Sequence, residues 1–119
     1  MNDHFRCERP FVIWHYSITH GTLVLRSPKE CGRETRVEIG FFGVRRISLI
    51  TDFDRMEITR KPLADPALLT VLEPWNDEDL SYFAFPNEGD YVVAMNFAWA
   101  EDDGDSRAKS RFGPLPGSW

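Results

Sequence analysis

The first half of the chain alternates between short runs rich in β-branched and aromatic residues and segments that favour turns. Phe11–Ile18 reads FVIWHYSI and Thr22–Ser27 reads TLVLRS, with Thr19–Gly21 between them. β-branched and aromatic residues favour strands, and the glycine at the turn can adopt a positive φ. The two runs therefore predict a β-hairpin with His20 at its tip.

Alternation within each run predicts which side chains share a face, because successive residues of a strand point to opposite sides of the sheet. We expect Val37, Ile39 and Phe41 of the strand Thr35–Phe42 to face a core that they share with Leu23 and Leu25. Arg36 and Glu38 share the opposite face of that strand. In the first strand, Val12, Trp14, Tyr16 and Ile18 fall on one face, and Phe11, Ile13, His15 and Ser17 on the other.

The strand signals continue over most of the chain. Val44–Ile50 and Arg55–Arg60 bring the pattern to five strands with short turns, which predicts an antiparallel meander with a bend or bulge near Gly43. Two further strands are expected at Tyr82–Phe85 and Tyr91–Trp99, and a short helix at Pro66–Leu72. The predicted fold is mostly β, with about seven antiparallel strands in a sandwich or curled open barrel and one short helix.

Length and composition favour one globular unit. The chain has 119 residues, of which 42% are hydrophobic and 28% charged, so we expect a single β-rich domain over residues 1–119. Residues 101–119 lack strand or helix periodicity and are expected to form an irregular C-terminal arm. Because apolar residues punctuate this arm, we expect it to dock on its own domain or, in a homodimer, on a second copy.

Charge is distributed unevenly, and this bears on the kind of partner. The net charge is −5, with +3 on residues 1–61 and −8 on residues 62–119. An acidic half argues against nucleic-acid binding and suits a partner with a basic surface. Two acidic clusters adjoin tryptophans: Asp77, Glu78 and Asp79 follow Trp75, and Glu101, Asp102 and Asp103 follow Trp99.

These two clusters are the predicted partner contacts, because interfaces favour a large aromatic anchor with a polar rim. The alternative is that both tryptophans lie in the core and both acidic clusters are solvated loops.

Catalytic and cofactor motifs are weak in this sequence. Ser17 and His20 could form a nucleophile and base, but they lie across a turn and no Gly-x-Ser-x-Gly elbow is present. His4 and Cys7 have the spacing of half a zinc site, yet no second close pair matches them. We therefore expect no catalytic residues, no metal site and no cofactor. Cys7 and Cys31 form no disulfide framework.

We expect neither a secretory signal nor a membrane-spanning segment in this sequence. The first residues, MNDHFRCERPF, are polar, and no run approaches the roughly 20 apolar residues that span a bilayer. We expect a cytoplasmic protein that does not associate with membranes.

The segments SITHGTLVLRS, RVEIGFFGVRRISL and MEI carry a resemblance over roughly residues 11–60. Their order, Ser/Thr-His-x-x-Leu-x-Leu, then a strand ending in Phe-x-x-Val, then a short closing strand, resembles small uncharacterised bacterial β-domains. Some of these domains are toxin-immunity proteins, which are small, often acidic, non-enzymatic partners. The resemblance implies no catalytic residues for this chain.

Two functions remain open from the sequence. The first is a non-enzymatic bacterial protein that acts by protein–protein binding, with an immunity-type role as the form implied by the resemblance. The second is a small-ligand-binding β-domain with an aromatic-lined cavity, for which Trp14, Tyr16, Phe41 and Trp99 are the candidate lining. An enzyme is the third choice.

Overall fold

The computed structural model of the chain is a sandwich of two antiparallel sheets with five strands each. It describes residues 4–28, 34–62 and 80–103. The strands are β1 His4–Cys7, β2 Phe11–Ser17, β3 Thr22–Ser27, β4 Arg36–Phe42, β5 Arg46–Ser48, β6 Asp52–Phe53, β7 Met56–Pro62, β8 Ser81–Ala84, β9 Tyr91–Ala94 and β10 Asn96–Asp102. The mostly β, antiparallel fold predicted from the sequence is confirmed, whereas the predicted helix at Pro66–Leu72 lies outside the described residues.

Sheet A has the strand order β1-β7-β8-β9-β5, and sheet B has the order β10-β4-β3-β2-β6. The prediction of a five-strand meander was wrong beyond its first three strands. Of the strands assigned to that meander, only β2, β3 and β4 are neighbours in one sheet, because β5 pairs with β9 and β7 lies between β1 and β8 in sheet A. Within the described ranges, no helix is long and apolar enough to cross a membrane.

The chain bends at Gly43, as the sequence predicted, and it crosses there from sheet B to sheet A. Gly43 has a φ of 64°, and a β-carbon at this position would lie 2.7 Å from both Cγ and Sδ of Met95. Glycine therefore permits both the positive φ and the close approach of the segment around Met95.

This segment around Met95 bends at the same place. Met95 separates β9 from β10, and its backbone N–H donates to the Phe42 carbonyl at 2.9 Å. The single strand predicted at Tyr91–Trp99 is thus two strands, one in each sheet, with β10 continuing to Asp102. The first two residues assigned to the C-terminal arm belong to this strand, and residues 104–119 lie outside the described part.

The hydrophobic core fills the space between the sheets and confirms the predicted inner face. Val37, Ile39, Phe41, Leu23 and Leu25 are all buried within one cluster. The Phe41 ring lies between 5.2 and 5.9 Å from the rings of Phe83, Phe85 and Phe97, measured between centroids. Aromatic residues from both sheets therefore meet at the centre of the molecule.

A β-bulge interrupts β2 and changes the predicted faces of that strand. Ile13 lies opposite Leu25, but His15 lies opposite Val24, which leaves Trp14 without a partner in the ladder. Since a bulge shifts the alternation by one residue, His15 leaves the face of Ile13. The prediction that these two residues share a face was wrong. The prediction that Val12 and Tyr16 share the other face was wrong as well, because Val12 lies opposite Arg26 and Tyr16 lies opposite the core residue Leu23.

Candidate protein-binding edge at strand β10

Strand β10 is the last strand of sheet B, and no other strand in the described ranges pairs with its outer side. Trp99 lies on this strand opposite Ile39, and its ring centroid is 5.2 Å from that of Phe5 on the edge strand of sheet A. The residue is nevertheless 51% exposed. The alternative that Trp99 belongs to the core is therefore wrong: it contacts the core with one part and faces solvent with the other.

Glu101 presents a half-exposed carboxylate on the same strand. Thr35 donates its hydroxyl to Glu101 Oε2 at 2.5 Å, and the Arg9 guanidinium lies 3.8 Å from the same oxygen. Arg9 in turn donates to the hydroxyls of Ser27 and Thr35, which hold it at the end of the sandwich. Half of the Glu101 side chain remains accessible at 50% exposure, and exposed Asp103 follows at the end of the strand.

Asp102 has a different environment from its acidic neighbours. It lies opposite Arg36 in the ladder, and Arg36 Nε donates to Asp102 Oδ1 at 2.5 Å. This hydrogen bond is the main reason that the pKa of Arg36 is raised. The partner contact of Asp102 stays a prediction, and the structure adds that its carboxylate is paired with a buried arginine.

Behind this pair lies a buried charge cluster that the sequence did not predict. Arg26 and Glu38 face each other on β3 and β4, with both side chains fully buried. Arg26 donates to Glu38 Oε2 from Nε at 3.0 Å and from Nη2 at 2.8 Å. Arg36 lies 3.8 Å from the other carboxylate oxygen of Glu38, so the charges form one row across β3, β4 and β10.

Trp14, at the bulge of β2, covers one end of this row. Its ring lies 3.8 Å from the guanidinium carbon of Arg26, a cation–π contact. Burial lowers the pKa of Arg26, while its bonds to Glu38 oppose that shift. The alternating sequence pattern correctly placed these charged residues on the face opposite the core. Their pairing depends on the register of β3 against β4, which puts Arg26 opposite Glu38.

Ser17 and His20 are close enough to hydrogen-bond across the hairpin turn. Ser17 Oγ lies 3.1 Å from His20 Nδ1 and accepts the backbone N–H of His20 at 3.3 Å. The Ser17 side chain is buried. The arrangement closes the hairpin turn, as Ser side chains commonly do.

The half zinc site suggested by His4 and Cys7 is not assembled on β1. The two residues are three apart on a strand and so point to opposite sides of it. His4 lies 2.9 Å from Glu57, whereas Cys7 packs against the core. The residues that the structure describes contain no group of three or more potential metal ligands, and Cys31 is not among them.

The four aromatic residues predicted to line one cavity are on different parts of the molecule. Phe41 is fully buried between the sheets, whereas Trp14 lies over Arg26 on the opposite face of sheet B, and Trp99 lies at the β10 edge. Residues on both faces of one sheet cannot line one cavity. That prediction was wrong.

A different cavity lies near one end of the sandwich. Its volume is about 390 Å³, and it is lined by Ile50, Asp52, Phe53, Asp54, Arg55, Pro86 and Asn87. This volume is within the range of small-molecule pockets. None of the four aromatics proposed from the sequence contributes to it.

Comparison with known proteins adds no relative: no family model, no curated protein and no solved structure matches this chain. The second predicted contact cluster, Trp75 with Asp77, Glu78 and Asp79, lies outside the described residues. The β10 edge, formed by Trp99, Glu101 and Asp103, is therefore the part of the predicted contact surface that the structure brings together.

Proposed function

We propose that this protein is a non-enzymatic binding module that contacts a basic protein partner through the β10 edge. The observation that carries the proposal is Trp99, a large aromatic residue that is 51% exposed on a terminal strand of the sheet. Exposed tryptophans of this kind serve as anchors in protein interfaces, where they contribute much of the binding energy.

The acidic neighbours explain why the partner should be basic. Glu101 and Asp103 are exposed beside Trp99, and the second half of the chain carries a net charge of −8. Carboxylates at the rim of an interface attract a positively charged partner and raise the association rate, while the aromatic contact slows dissociation. Terminal strands also offer backbone groups to an added strand.

More specifically, we propose that this protein is a bacterial, cytoplasmic protein of the immunity type. Its support is the resemblance of residues 11–60 to small bacterial β-domains. A toxin that is neutralised by such a protein would supply the basic surface.

A second candidate function is binding of a small ligand in the cavity beside Asp52 and Asp54. Phe53 and Pro86 provide apolar surface there, and Arg55 and Asn87 provide further polar groups. Titration with small amines and amino acids, followed by NMR, tests it. Shifts confined to the resonances of cavity residues would support this function, and their absence would contradict it.

Comparative affinity capture tests the primary proposal. Wild-type protein, Trp99→Ser and Glu101→Gln are each used as bait in a lysate of the source organism. Glu88→Gln serves as the control, because it changes an exposed charge that lies away from β10 and does not line the cavity. We expect a protein that binds the wild type and the control, binds Glu101→Gln less, and is lost with Trp99→Ser. Identical capture by all four baits would contradict the proposal.

A further inference from the structure

The outer face of sheet B, which points away from the hydrophobic core, is buried at its centre. The alternation of β3 and β4 places Val24, Arg26 and Glu38 on this face, and all three are 0% exposed. From β2, Trp14 lies over Arg26, at one side of the face. His15 lies opposite Val24 in the ladder. Outer faces of a sandwich normally meet solvent, so complete burial requires cover from further residues.

The residues on the other side of this buried centre are too small to cover it. Gly40 of β4 lies opposite Val24, and Ala98 of β10 lies opposite Gly40. Ala100 lies opposite Glu38. Glycine has no side chain and alanine has one methyl group, so neither reaches over the next strand, which is about 4.8 Å away. These small residues leave a shallow groove over β4, and Val24 and Glu38 beside it are nevertheless buried.

The cover comes from this chain, because the structure contains no other. Residues 1–3 precede β1, and residues 63–79 connect β7 to β8, so both stretches are attached to sheet A on the far side of the core. Residues 29–33 connect β3 to β4 and reach at most about 18 Å in total. The path from Pro28 to Val24 and back is about 26 Å, because strands rise about 3.3 Å per residue. The connections of these three stretches therefore place none of them at the centre of the face.

Residues 104–119, in contrast, continue directly from this face. They follow β10, whose Asp102 pairs with Arg36 on the outer side of sheet B. From Asp102, Val24 lies about 13 Å along the strands and about 10 Å across them. Sixteen extended residues span about 50 Å, so the segment is long enough to cross the face.

The composition of this segment suits a cover made by side chains. Phe112, Leu115 and Trp119 are large apolar residues, and they gain free energy by leaving water. Pro114 and Pro116 have no backbone N–H, so this part of the chain does not favour a regular strand added to the sheet.

We propose that residues 104–119 pack across the outer face of sheet B and cover its buried centre. Their apolar side chains exclude water from Val24 and from the ion pair of Arg26 with Glu38, which strengthens the attraction between the two charges. Trp99 is 51% exposed in the same structure, so the segment leaves the β10 edge accessible to a partner. The inference does not depend on the binding proposed for that edge.

Methyl NMR in the presence of a soluble gadolinium chelate, which broadens the signals of accessible methyl groups, tests what covers Val24. The triple variant Phe112→Ser, Leu115→Ser and Trp119→Ser removes the large apolar side chains of the segment. We expect the Val24 methyl signals to be protected in the wild type and to lose this protection in the variant, whereas core Ile39 stays protected in both. A folded variant in which Val24 keeps its protection would overturn the proposal.

The matched control combines Ser106→Ala, Ser110→Ala and Ser118→Ala, which change three polar residues of the same segment. This control should protect Val24 as the wild type does. An equal loss of protection in the control and in the apolar triple variant would contradict a cover made by the apolar side chains.

A spin label shows whether the segment covers its own chain or a second copy. The label is attached through Ser118→Cys in a protein that carries Cys7→Ala and Cys31→Ala. We expect it to broaden the Val24 methyl signals much more than those of Val93, which lies on the outer face of sheet A. Since all apolar side chains of the segment are kept, this measurement decides the proposal even if the triple variant does not fold.

A mixed sample separates the two cases. Spin-labelled chains without isotope are mixed with isotope-labelled chains that carry no spin label, and we expect no broadening of Val24 there. Broadening in the mixture as strong as within one chain would assign the cover to a second copy and overturn the proposal. Equal broadening of Val24 and Val93 within one chain would overturn it as well.

Discussion

The buried charge cluster depends on Glu38. Its carboxylate accepts two hydrogen bonds from the Arg26 guanidinium and lies 3.8 Å from that of Arg36. All three side chains are buried or nearly so, and taking charges out of water costs several kcal/mol per ion unless the ions are paired. The fold therefore tolerates these arginines because Glu38 and Asp102 compensate their charge.

Glu38→Ala should reduce the free energy of unfolding by about 3–5 kcal/mol, since it leaves buried arginine charge without its main counter-charge. Urea denaturation measures the change. The control is Arg26→Met combined with Glu38→Leu, which replaces the ion pair by apolar side chains and should cost much less than Glu38→Ala. If the single variant unfolds like the wild type, or the double variant is the less stable of the two, the pair does not have this role.

His15 makes stability depend on pH. Burial lowers the pKa of His15 below its ordinary value of 6.5, with Arg26 acting in the same direction and Glu38 against it. The unfolded chain therefore binds a proton at this residue at a higher pH than the folded chain does. By linkage, the free energy of unfolding is unaffected by His15 protonation above the ordinary pKa, and it decreases as the pH falls below that value.

His15→Asn should reduce the fall in unfolding free energy between about pH 7.5 and pH 5, by at most about 1.4 kcal/mol per pH unit. Urea denaturation at each pH measures the slope, and the difference between the two proteins at about pH 8 gives the general cost of the substitution. Parallel pH curves for the wild type and the variant would contradict the assignment.

At the scale of the elements, the corner between β4 and β5 decides the topology. The sequence indicated a bend at Gly43, and alternation correctly placed Val37, Ile39 and Phe41 in the core. It could not indicate that the chain crosses to the other sheet there, because strand pairing depends on contacts between residues distant in sequence. Met95 shows the same limit: neither glycine nor proline marks the point where β9 ends and β10 begins.

Gly43→Ala should destabilise the protein by about 1–3 kcal/mol, because it combines a left-handed backbone conformation with a contact to the Met95 side chain. Gly89→Ala is the matched control. Gly89 has a φ of 89°, but nothing lies within 4 Å of the position of its added β-carbon, so only the backbone cost applies. Thermal and urea denaturation of both variants compares them. Equal destabilisation would show that close packing at the corner does not contribute.

On the scale of the whole molecule, sheet B has two edges with different chemistry. The β10 edge carries Trp99 with acidic neighbours, whereas exposed Trp14 and Tyr16 lie on β2, which contains no acidic residue. The sequence indicated the cluster of Trp99 with acidic residues, but it did not indicate that this strand forms an edge of the sheet. It did not separate Asp102 from Glu101 and Asp103, since only the register of β10 against β4 pairs Asp102 with Arg36.

The measurement that tests the β10 edge most directly is the association rate constant of the captured partner at several salt concentrations. The variant combines Glu101→Gln with Asp103→Asn and leaves Asp102 in its pair with Arg36. If exposed carboxylates steer a basic partner, the variant should associate more slowly at low salt, and its rate should fall less steeply as salt is added. Trp99→Ser should mainly raise the dissociation rate. Association rates and salt dependence equal to those of the wild type would contradict binding through this edge.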